Sequence, residues 1–512
     1  MAMPGSSAHG TIRRRCVALT ALLCCASLFG FCSSARAETA LVPIPTAERQ
    51  VLIDLYTNTG GDNWSANTNW CSGGCPGAFN SVGTECTWFG VTCAGAPPHV
   101  TGIALSGNGL NGPLPALANL PALSSFDVSS NNDLSGSIPA LGSLTALTVF
   151  KADSNQLTGS IPALNNLTAL TTFEVSSNQL TGSIPALGNL TALTLFRANS
   201  NQLTGSIPAL GNQTTLATFD VSSNQLTGSI PSLSGLTALS EFSVDTNQLT
   251  GSIPSLSGLS ALTVFNASSN QLTGSLPTLD GLTVLAIFSA ESNQLTGPIP
   301  SLTSVPSLIT FNVRHNQLSG PIPSLDGLTA LAYFEASDNQ LTGTLPALSG
   351  LPALIEFFVD ANQLTGSIPS LNGLSALQYF VATDNQLTGS IPSLSGLTNL
   401  FVFDVGTNRL TGTLPALTGL AALGYFVADY NRLTGSLPSL AGLDNLSNFV
   451  VGGNHLSGTL PLAGTNLSVG SSSLCPNDFP ESSYIDDAAW DLATNQIPWF
   501  TPCQFIFVDN FE

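Results

Sequence analysis

Apolar and polar positions recur along this chain at a fixed interval, and an asparagine marks each period. Fourteen asparagines, from Asn155 to Asn454, stand 23 residues apart without a slip. Asn108 and Asn131 extend the series upstream, with one residue inserted after Asn131. A period of this length is typical of solenoids, because a single unit buries its apolar face only against neighbouring units. The pattern therefore predicts 16 stacked repeats over residues 100–461.

The repeat that contains Phe173 shows what each position is expected to do. Phe173 and Val175 alternate with polar neighbours, as in a strand that is buried on one face. Asn178 follows this strand, where its amide can bond to the backbone of adjacent turns, so that stacked copies form a ladder. The leucines fill the core from the opposite side, while Gly182 and Pro185 allow the chain to turn without a helix.

The unit Leu-x-x-Leu-x-x-Phe-x-Val-x-x-Asn-x-Leu-x-Gly-x-Ile-Pro resembles the plant-type leucine-rich repeat of receptor-like-kinase ectodomains and polygalacturonase-inhibiting proteins. The unit is one residue shorter than the usual plant pattern, and Phe replaces the usual strand Leu. The near-identity of the units resembles secreted bacterial members of this family. The resemblance implies an α/β repeat fold: a right-handed leucine-rich-repeat solenoid with a parallel concave β-sheet, short convex turns and disulfide-bonded caps.

Residues 1–37 are expected to form a secretory signal peptide. Residues 13–15 are arginines, residues 16–31 form an apolar run, and Ala35-Arg36-Ala37 supplies the small residues of a cleavage site. An uncleaved membrane anchor is the alternative, which the short run and the cleavage site disfavour. Because no later stretch is apolar enough to span a bilayer, we expect no membrane insertion after cleavage. The predicted location is secreted, or the cell surface or cell envelope.

Residues 38–99 are expected to form an N-terminal cap. Residues 46–58 have the pattern of an amphipathic helix that ends at Gly60-Gly61. The segment that follows resembles the N-terminal cap of plant-type repeat proteins, including its Cys-x6-Cys spacing. Trp64, Trp70 and Trp88 are interpreted as cap packing, and a sugar-stacking platform is the alternative.

Residues 462–512 are expected to form a C-terminal cap and tail. Ser483 and Asp486 are predicted to cap a short helix through Leu492, with Trp490 facing the last repeat. The tail, residues 505–512, resembles short endings of exported proteins of some Gram-negative bacteria. It is interpreted either as a sorting tag or as an edge strand of the cap.

Cysteines occur only outside the repeats, and an even number remains after the predicted signal, which favours disulfides in an exported chain. We expect the pairs Cys86–Cys93, Cys475–Cys503 and Cys71–Cys75, although the sequence alone permits other pairings. Spacing and compartment both disfavour a zinc site. No metal or other cofactor is expected.

Acidic residues outnumber basic ones 30 to 10, and four of the basic residues lie in the predicted signal peptide. A surface with so few cations gains little from counterion release on nucleic acid or on anionic membranes. We therefore expect no nucleic-acid partner.

The residues that flank each strand Phe are expected to face outward on the concave face. Residues at the same position of successive repeats form a column, and in the N-terminal half these columns hold mainly Ser and Thr. In repeats 10 to 14 the columns hold aromatic residues and carboxylates, which are typical of binding patches. The alternative is neutral sequence variation among solvent-exposed positions. Arg314 and His315 stand alone just upstream of this region. The predicted ligand-binding patch comprises Tyr333, Glu335, Glu356, Phe358, Asp360, Tyr379, Asp384, Asp404, Tyr425, Asp429 and Tyr430.

An enzyme is not expected. His99, His315 and His455 lie in distant repeats or in a cap, so they cannot complete a catalytic triad. Asp360 and Asp384 on neighbouring strands could mimic a glycosidase pair or bind calcium, but an open face offers no pocket that shifts their pKa values.

The sequence favours a secreted recognition protein that binds an extracellular protein or glycan on its concave face. The alternative is a passive structural or surface-coat protein without a specific partner. Ice binding is a variant of that alternative, because regular rows of Ser, Thr and Asn could order water. The sequence leaves the oligomeric state open.

Overall fold

A computed structural model describes residues 42–72, 78–464, 466–479, 488–497 and 499–500. The predicted signal peptide, Cys75, Cys503, the predicted capping residues Ser483 and Asp486, and the tail lie outside the described residues.

The repeats build one 17-stranded sheet, in which each turn of the solenoid contributes a short strand. Successive repeat strands pair in parallel and in register, so that Phe126 lies opposite Phe150, for example. The first pair alone among the described strands of this sheet is antiparallel. We call the outer surface of this sheet the concave face. Its strands are Val91–Ala94, His99–Ala104, Ser125–Asp127, Val149–Lys151, Thr172–Glu174, Leu195–Arg197, Thr218–Asp220, Glu241–Ser243, Val264–Asn266, Ile287–Ser289, Thr310–Asn312, Tyr333–Glu335, Glu356–Phe358, Tyr379–Val381, Val402–Asp404, Tyr425–Val427 and Asn448–Val450.

Smaller parallel sheets follow the asparagine of several repeats. The glycine of the repeat lies within several of these strands, such as Gly274 in Thr273–Ser275. It has a positive φ there (78°) and also at Gly182 (74°), a conformation that residues with a Cβ resist. The strands of these sheets are Asn111–Pro113, Asp133–Ser137 and Gln156–Thr158; Thr273–Ser275, Gln294–Gly297, Gln317–Gly320 and Gln340–Leu341; and Thr434–Gly435 and His455–Leu456.

Fifteen phenylalanines, from Phe126 to Phe449, form a continuous stack along the core. Neighbouring ring centroids lie 5.3–5.8 Å apart, with interplanar angles of 14–20°. Each of these side chains is completely buried. Because every ring between Phe126 and Phe449 packs on the rings of both neighbouring turns, the stack fixes the register of the solenoid.

The predicted asparagine ladder is confirmed. The Nδ2 group of Asn178 donates to the carbonyl oxygens of Val175 and Ser176 in its own turn and of Ala152 in the preceding turn, at 2.9–3.1 Å. Its Oδ1 accepts the N–H of Leu157 at 2.9 Å. The amide thus satisfies four backbone groups, and the same pattern recurs at later repeats.

The predicted first helix is confirmed as α1, Thr46–Asn58, and short 3-10 helices follow at Gly61–Asn63 and Glu85–Thr87. Trp64, Trp70 and Trp88 are at most 5% exposed and contact one another edge-to-face or tilted. Their burial supports cap packing and removes the alternative of a sugar-stacking platform.

The C-terminal helix α2, Ala488–Thr494, closes the other end of the core. Trp490 is fully buried, with its ring 6.3 Å from that of Phe449. Its indole N–H donates to the Pro461 carbonyl oxygen at 3.1 Å. The prediction that Trp490 faces the last repeat is therefore confirmed.

A disulfide joins Cys86 to Cys93 in the N-terminal cap. Cys71 and Cys475 are also disulfide-bonded. Among the described residues, no helix combines the length and the hydrophobicity that crossing a membrane requires.

Candidate functional site

The strand register places the eleven predicted site residues in four columns of the concave face. One column directly precedes the core phenylalanines and holds Tyr333, Glu356, Tyr379 and Tyr425. A second column directly follows them and holds Glu335, Phe358 and Asp404. The other four follow the strands, three or four positions after the core ring. Because the core rings alternate with these positions, the flanking side chains are half-buried or exposed. The three-position column holds Asp360 and Asp429, and the four-position column holds Asp384 and Tyr430.

Four aromatic side chains make a continuous chain of contacts across four neighbouring repeats. The ring centroids of Phe358 and Tyr379 lie 6.2 Å apart, those of Tyr379 and Phe401 5.9 Å apart, and those of Phe401 and Tyr425 5.4 Å apart. Adjacent rings are inclined to each other by 54–72°. We call Phe358, Tyr379, Phe401 and Tyr425 the aromatic row. Phe401 is 37% and Tyr425 38% exposed, so the row presents apolar surface to solvent.

Phe401 was not among the predicted site residues. It stands two positions before its core phenylalanine, in a column outside the four that hold the predicted residues. Elsewhere this column holds residues such as Thr171, whose hydroxyl donates to the Thr148 carbonyl of the preceding turn. Phe401 links Tyr379 to Tyr425, which otherwise lie two repeats apart. No other repeat has an aromatic residue in this column, and this was the signal that could have identified Phe401.

A carboxylate pair lies beside the aromatic row, around Gly406. Oδ1 of Asp404, Oδ1 of Asp429 and the Thr383 hydroxyl oxygen all lie within 3.4 Å of the position that a Cβ of residue 406 would occupy. Burial raises the pKa of Asp404 to about 6, and the charges of Asp429 and Asp360 act in the same direction. Hydrogen bonds from the Gly406 N–H and the Thr383 side chain oppose that rise. Burial also raises the pKa of Asp429.

Two further predicted carboxylates lie at the other end of the patch. Burial raises the pKa values of Glu335 and Glu356, and the Arg314 charge partly offsets the rise at Glu335. Asp360 accepts a hydrogen bond from the Ser337 hydroxyl. Within the described residues, no three His, Cys, Asp or Glu side chains are grouped so that they could hold a metal ion.

The reading of Arg314 and His315 as isolated residues was wrong. The Arg314 guanidinium lies 3.8 Å from the Glu291 carboxylate and 3.6 Å from that of Glu335. Its Nη2 is 3.0 Å from His315 Nε2, and His315 Nδ1 is 2.9 Å from Asp338 Oδ2. The side chains reach across neighbouring turns, a relationship that is invisible when each repeat is read alone.

The N-terminal half of the concave face also carries charge, but its cations are paired. Lys151 lies 3.3 Å from the Glu174 carboxylate, and Arg197 lies 3.0 Å from that of Glu241. The N-terminal half differs from the region of the aromatic row in these ion pairs and in its Ser and Thr columns.

Neither family models nor curated proteins match the chain, but solved structures do. It is similar to a TDR receptor, with 31% identity and a TM-score of 0.68 over 73% of this chain and 68% of that one. It is also similar to the plant peptide hormone receptor RGFR1, solved in complex with RGF2, with 28% identity and a TM-score of 0.67 over 77% and 68% of the respective chains.

A third similar structure is the LRR ectodomain of the plant membrane receptor kinase GASSHO1/SCHENGEN3 from Arabidopsis thaliana, in complex with CASPARIAN STRIP INTEGRITY FACTOR 2. It shares 28% identity and a TM-score of 0.53, over 84% of this chain and 62% of that one. One assignment follows from the repeat motif, the stacked solenoid and the 31% sequence identity to the TDR receptor. This chain belongs to the plant-type leucine-rich-repeat family.

Proposed function

We propose that this protein is an exported recognition protein whose concave face binds an extracellular protein or peptide at the aromatic row. The observation that carries the proposal is the row itself, four contacting rings on a sheet face of which two are more than one-third exposed. Exposed aromatic clusters are costly in a soluble protein and are frequent anchors of binding sites. Export rests on the predicted signal peptide.

A protein or peptide partner fits the site better than a glycan. Two of the similar ectodomains were solved with RGF2 and with CASPARIAN STRIP INTEGRITY FACTOR 2, which supports the same class of partner here. The inclination of 54–72° between adjacent rings also leaves no continuous flat surface for a chain of stacked sugars. Side chains of a protein can instead enter between inclined rings.

The proposal is tested by screening the mature protein against arrays of extracellular proteins, peptides and glycans. One variant removes the row by the substitutions Tyr379→Ala, Phe401→Ala and Tyr425→Ala. The matched control carries Thr172→Ala, Thr194→Ala and Thr218→Ala, which lie in the same columns of earlier repeats.

We expect a protein or peptide signal that the aromatic variant loses and the control variant keeps. A glycan signal with the same dependence would keep the site but change the class of partner. Binding that survives in both variants, or no binding to any probe, would overturn the proposal and favour the passive structural function.

A further inference from the structure

We infer that the partner presents a cationic segment, whose Lys or Arg side chains lie on the rings of the aromatic row and against the carboxylates of Asp404 and Asp429. This inference rests on the proposed function and names the chemistry of the ligand. It depends on charge complementarity between this part of the concave face and its occupant.

The chain supplies few cations of its own near the aromatic row. From residue 316 onward the sequence contains no lysine and only two arginines, Arg409 and Arg432. Each directly follows a ladder asparagine and therefore lies outside the strands of the concave face. In the described part of the chain, no ion pair involves Asp404, Asp429 or Glu356. The cations of the earlier repeats, by contrast, pair with carboxylates on the same face.

Two earlier repeats place an aspartate in the same column as Asp404. In both, a serine two residues later donates its hydroxyl to the aspartate: Ser129 to Asp127 and Ser222 to Asp220, each at 2.7 Å. The chain has Gly406 at this position after Asp404, so the serine hydroxyl is absent. Asp404 Oδ1 accepts the Gly406 N–H at 3.0 Å, and the Thr383 side chain is its other donor. Because residue 406 has no side chain, the Asp429 carboxylate can approach Asp404: its Oδ1 lies 2.4 Å from the position that a Cβ of residue 406 would occupy.

The rings of the aromatic row and the carboxylates of Asp404 and Asp429 lie in neighbouring repeats. Tyr425 and Asp429 belong to one repeat, and Asp404 belongs to the neighbouring repeat, whose strand pairs with that of Tyr425. A guanidinium or ammonium group gains from the face of an aromatic ring and from a carboxylate at the same time. A cation placed here would also relieve the repulsion between Asp404 and Asp429, two half-buried like charges.

The chain contains a matched control for these carboxylates. Asp220 and Asp245 occupy the same columns of two adjacent earlier repeats as Asp404 and Asp429 do, and the charge of Asp220 likewise acts to raise the pKa of Asp245. Thr218 and Glu241 precede the core rings of those repeats, so no aromatic row lies beside this pair. Replacing either pair by asparagine changes the net charge by the same amount.

The test measures the fluorescence anisotropy of three labelled octapeptides, (Gly-Arg)4, (Gly-Gln)4 and (Gly-Glu)4, with the full mature protein. We expect (Gly-Arg)4 to bind most tightly. The double substitution Asp404→Asn and Asp429→Asn should weaken it about tenfold, whereas Asp220→Asn with Asp245→Asn should change its affinity by less than about twofold. Gly406→Ser, which restores the serine hydroxyl and displaces the Asp429 carboxylate, should also weaken binding.

Equal losses in both aspartate variants would overturn the inference, because they would indicate attraction by net charge alone. If (Gly-Gln)4 binds as well as (Gly-Arg)4, and the aromatic variant abolishes that binding, the cationic chemistry is wrong while the proposed function stands. Failure of the proposed function would give a different result. Removal of the aromatic row would then leave the binding of both the array partners and the octapeptides unchanged.

Discussion

The ring of Phe401 lies over Gly424 of the next repeat, so closely that a Cβ on residue 424 would come within 2.5 Å of the ring. Gly424 directly precedes Tyr425, and the ring of Phe401 contacts that of Tyr425 at a centroid distance of 5.4 Å. The absence of a side chain at residue 424 therefore allows Phe401 to continue the aromatic row. In an earlier repeat the same position holds Ala217.

We expect Gly424→Ala to displace the Phe401 ring and to break the row between Tyr379 and Tyr425. Because the ring is partly exposed and can swing away, the free energy of unfolding should fall by only about 1 kcal/mol. Near-ultraviolet circular dichroism should report the loss of the ring contact, and binding of a partner should weaken.

A double-mutant cycle provides the control for this prediction. In a Phe401→Ala background, Gly424→Ala should have almost no further effect on stability or binding. If the two substitutions acted independently, the contact between residues 401 and 424 would not be the cause.

The asparagine ladder predicts a large loss of stability at any of its members. Asn316 donates to the carbonyl oxygens of Ala290, Val313 and Arg314 and accepts the N–H of Leu295, at 2.9–3.2 Å. Asn316→Ala leaves these backbone groups without partners, so we expect a loss of about 2–4 kcal/mol in a urea titration. Gln317→Ala, at the exposed neighbouring position, should cost less than about 0.5 kcal/mol.

One repeat contains a polar residue in the core, which predicts a stabilising substitution. Gln213 is fully buried where other repeats have leucine, such as Leu190. Its Nε2 donates to the Leu187 carbonyl at 2.8 Å, but its Oε1 has no partner within the described structure. We expect Gln213→Leu to raise the free energy of unfolding by about 1–2 kcal/mol. The reverse change, Leu190→Gln, should lower the melting temperature; a lower melting temperature for Gln213→Leu would contradict this account of the buried amide.

The pKa of Asp404 predicts a stability effect that depends on pH. Its pKa rises on folding from 3.8 to about 6, so the folded state favours the neutral acid. The stabilising contribution is complete below about pH 3.8 and is lost as the pH rises through about 6. At pH 7 the charged carboxylate therefore destabilises the fold.

Asp404→Asn should stabilise the protein at pH 7 by about 1–2 kcal/mol, a value reduced for partial solvent screening, and should have little effect near pH 4. Urea titrations at the two pH values measure this difference. Asp220→Asn is the control, because Asp220 accepts the Ser222 hydroxyl and should gain nothing from the change. Equal stabilisation at both pH values would show that charge burial is not the cause.

The fold was predictable because every repeat carries the same pattern of buried and exposed positions. The 23-residue period, the alternation around Phe173 and the position of Asn178 specify a strand, a core ring and a ladder amide, and stacking follows from repetition. The cap helix 46–58 and the packing of Trp490 against the last repeat were also predictable, since a solenoid must cover its exposed ends.

The candidate site was only partly predictable, because its contacts join different repeats. Reading the columns beside the core phenylalanines identified Tyr379 and Tyr425, but not Phe401, which connects them. Gly406 and Gly424 matter because they have no side chain where a residue of a neighbouring turn comes close. This closeness cannot be seen in the sequence of one repeat.

The most direct test of the central claim is the dissociation constant of an array-identified partner for three proteins. These are the unmodified mature protein, the variant with Tyr379→Ala, Phe401→Ala and Tyr425→Ala, and the matched variant with Thr172→Ala, Thr194→Ala and Thr218→Ala. Recognition through the aromatic row predicts a dissociation constant raised about 100-fold or more in the first variant and by less than about twofold in the second. Equal dissociation constants for all three proteins would contradict the claim that this patch is the binding site.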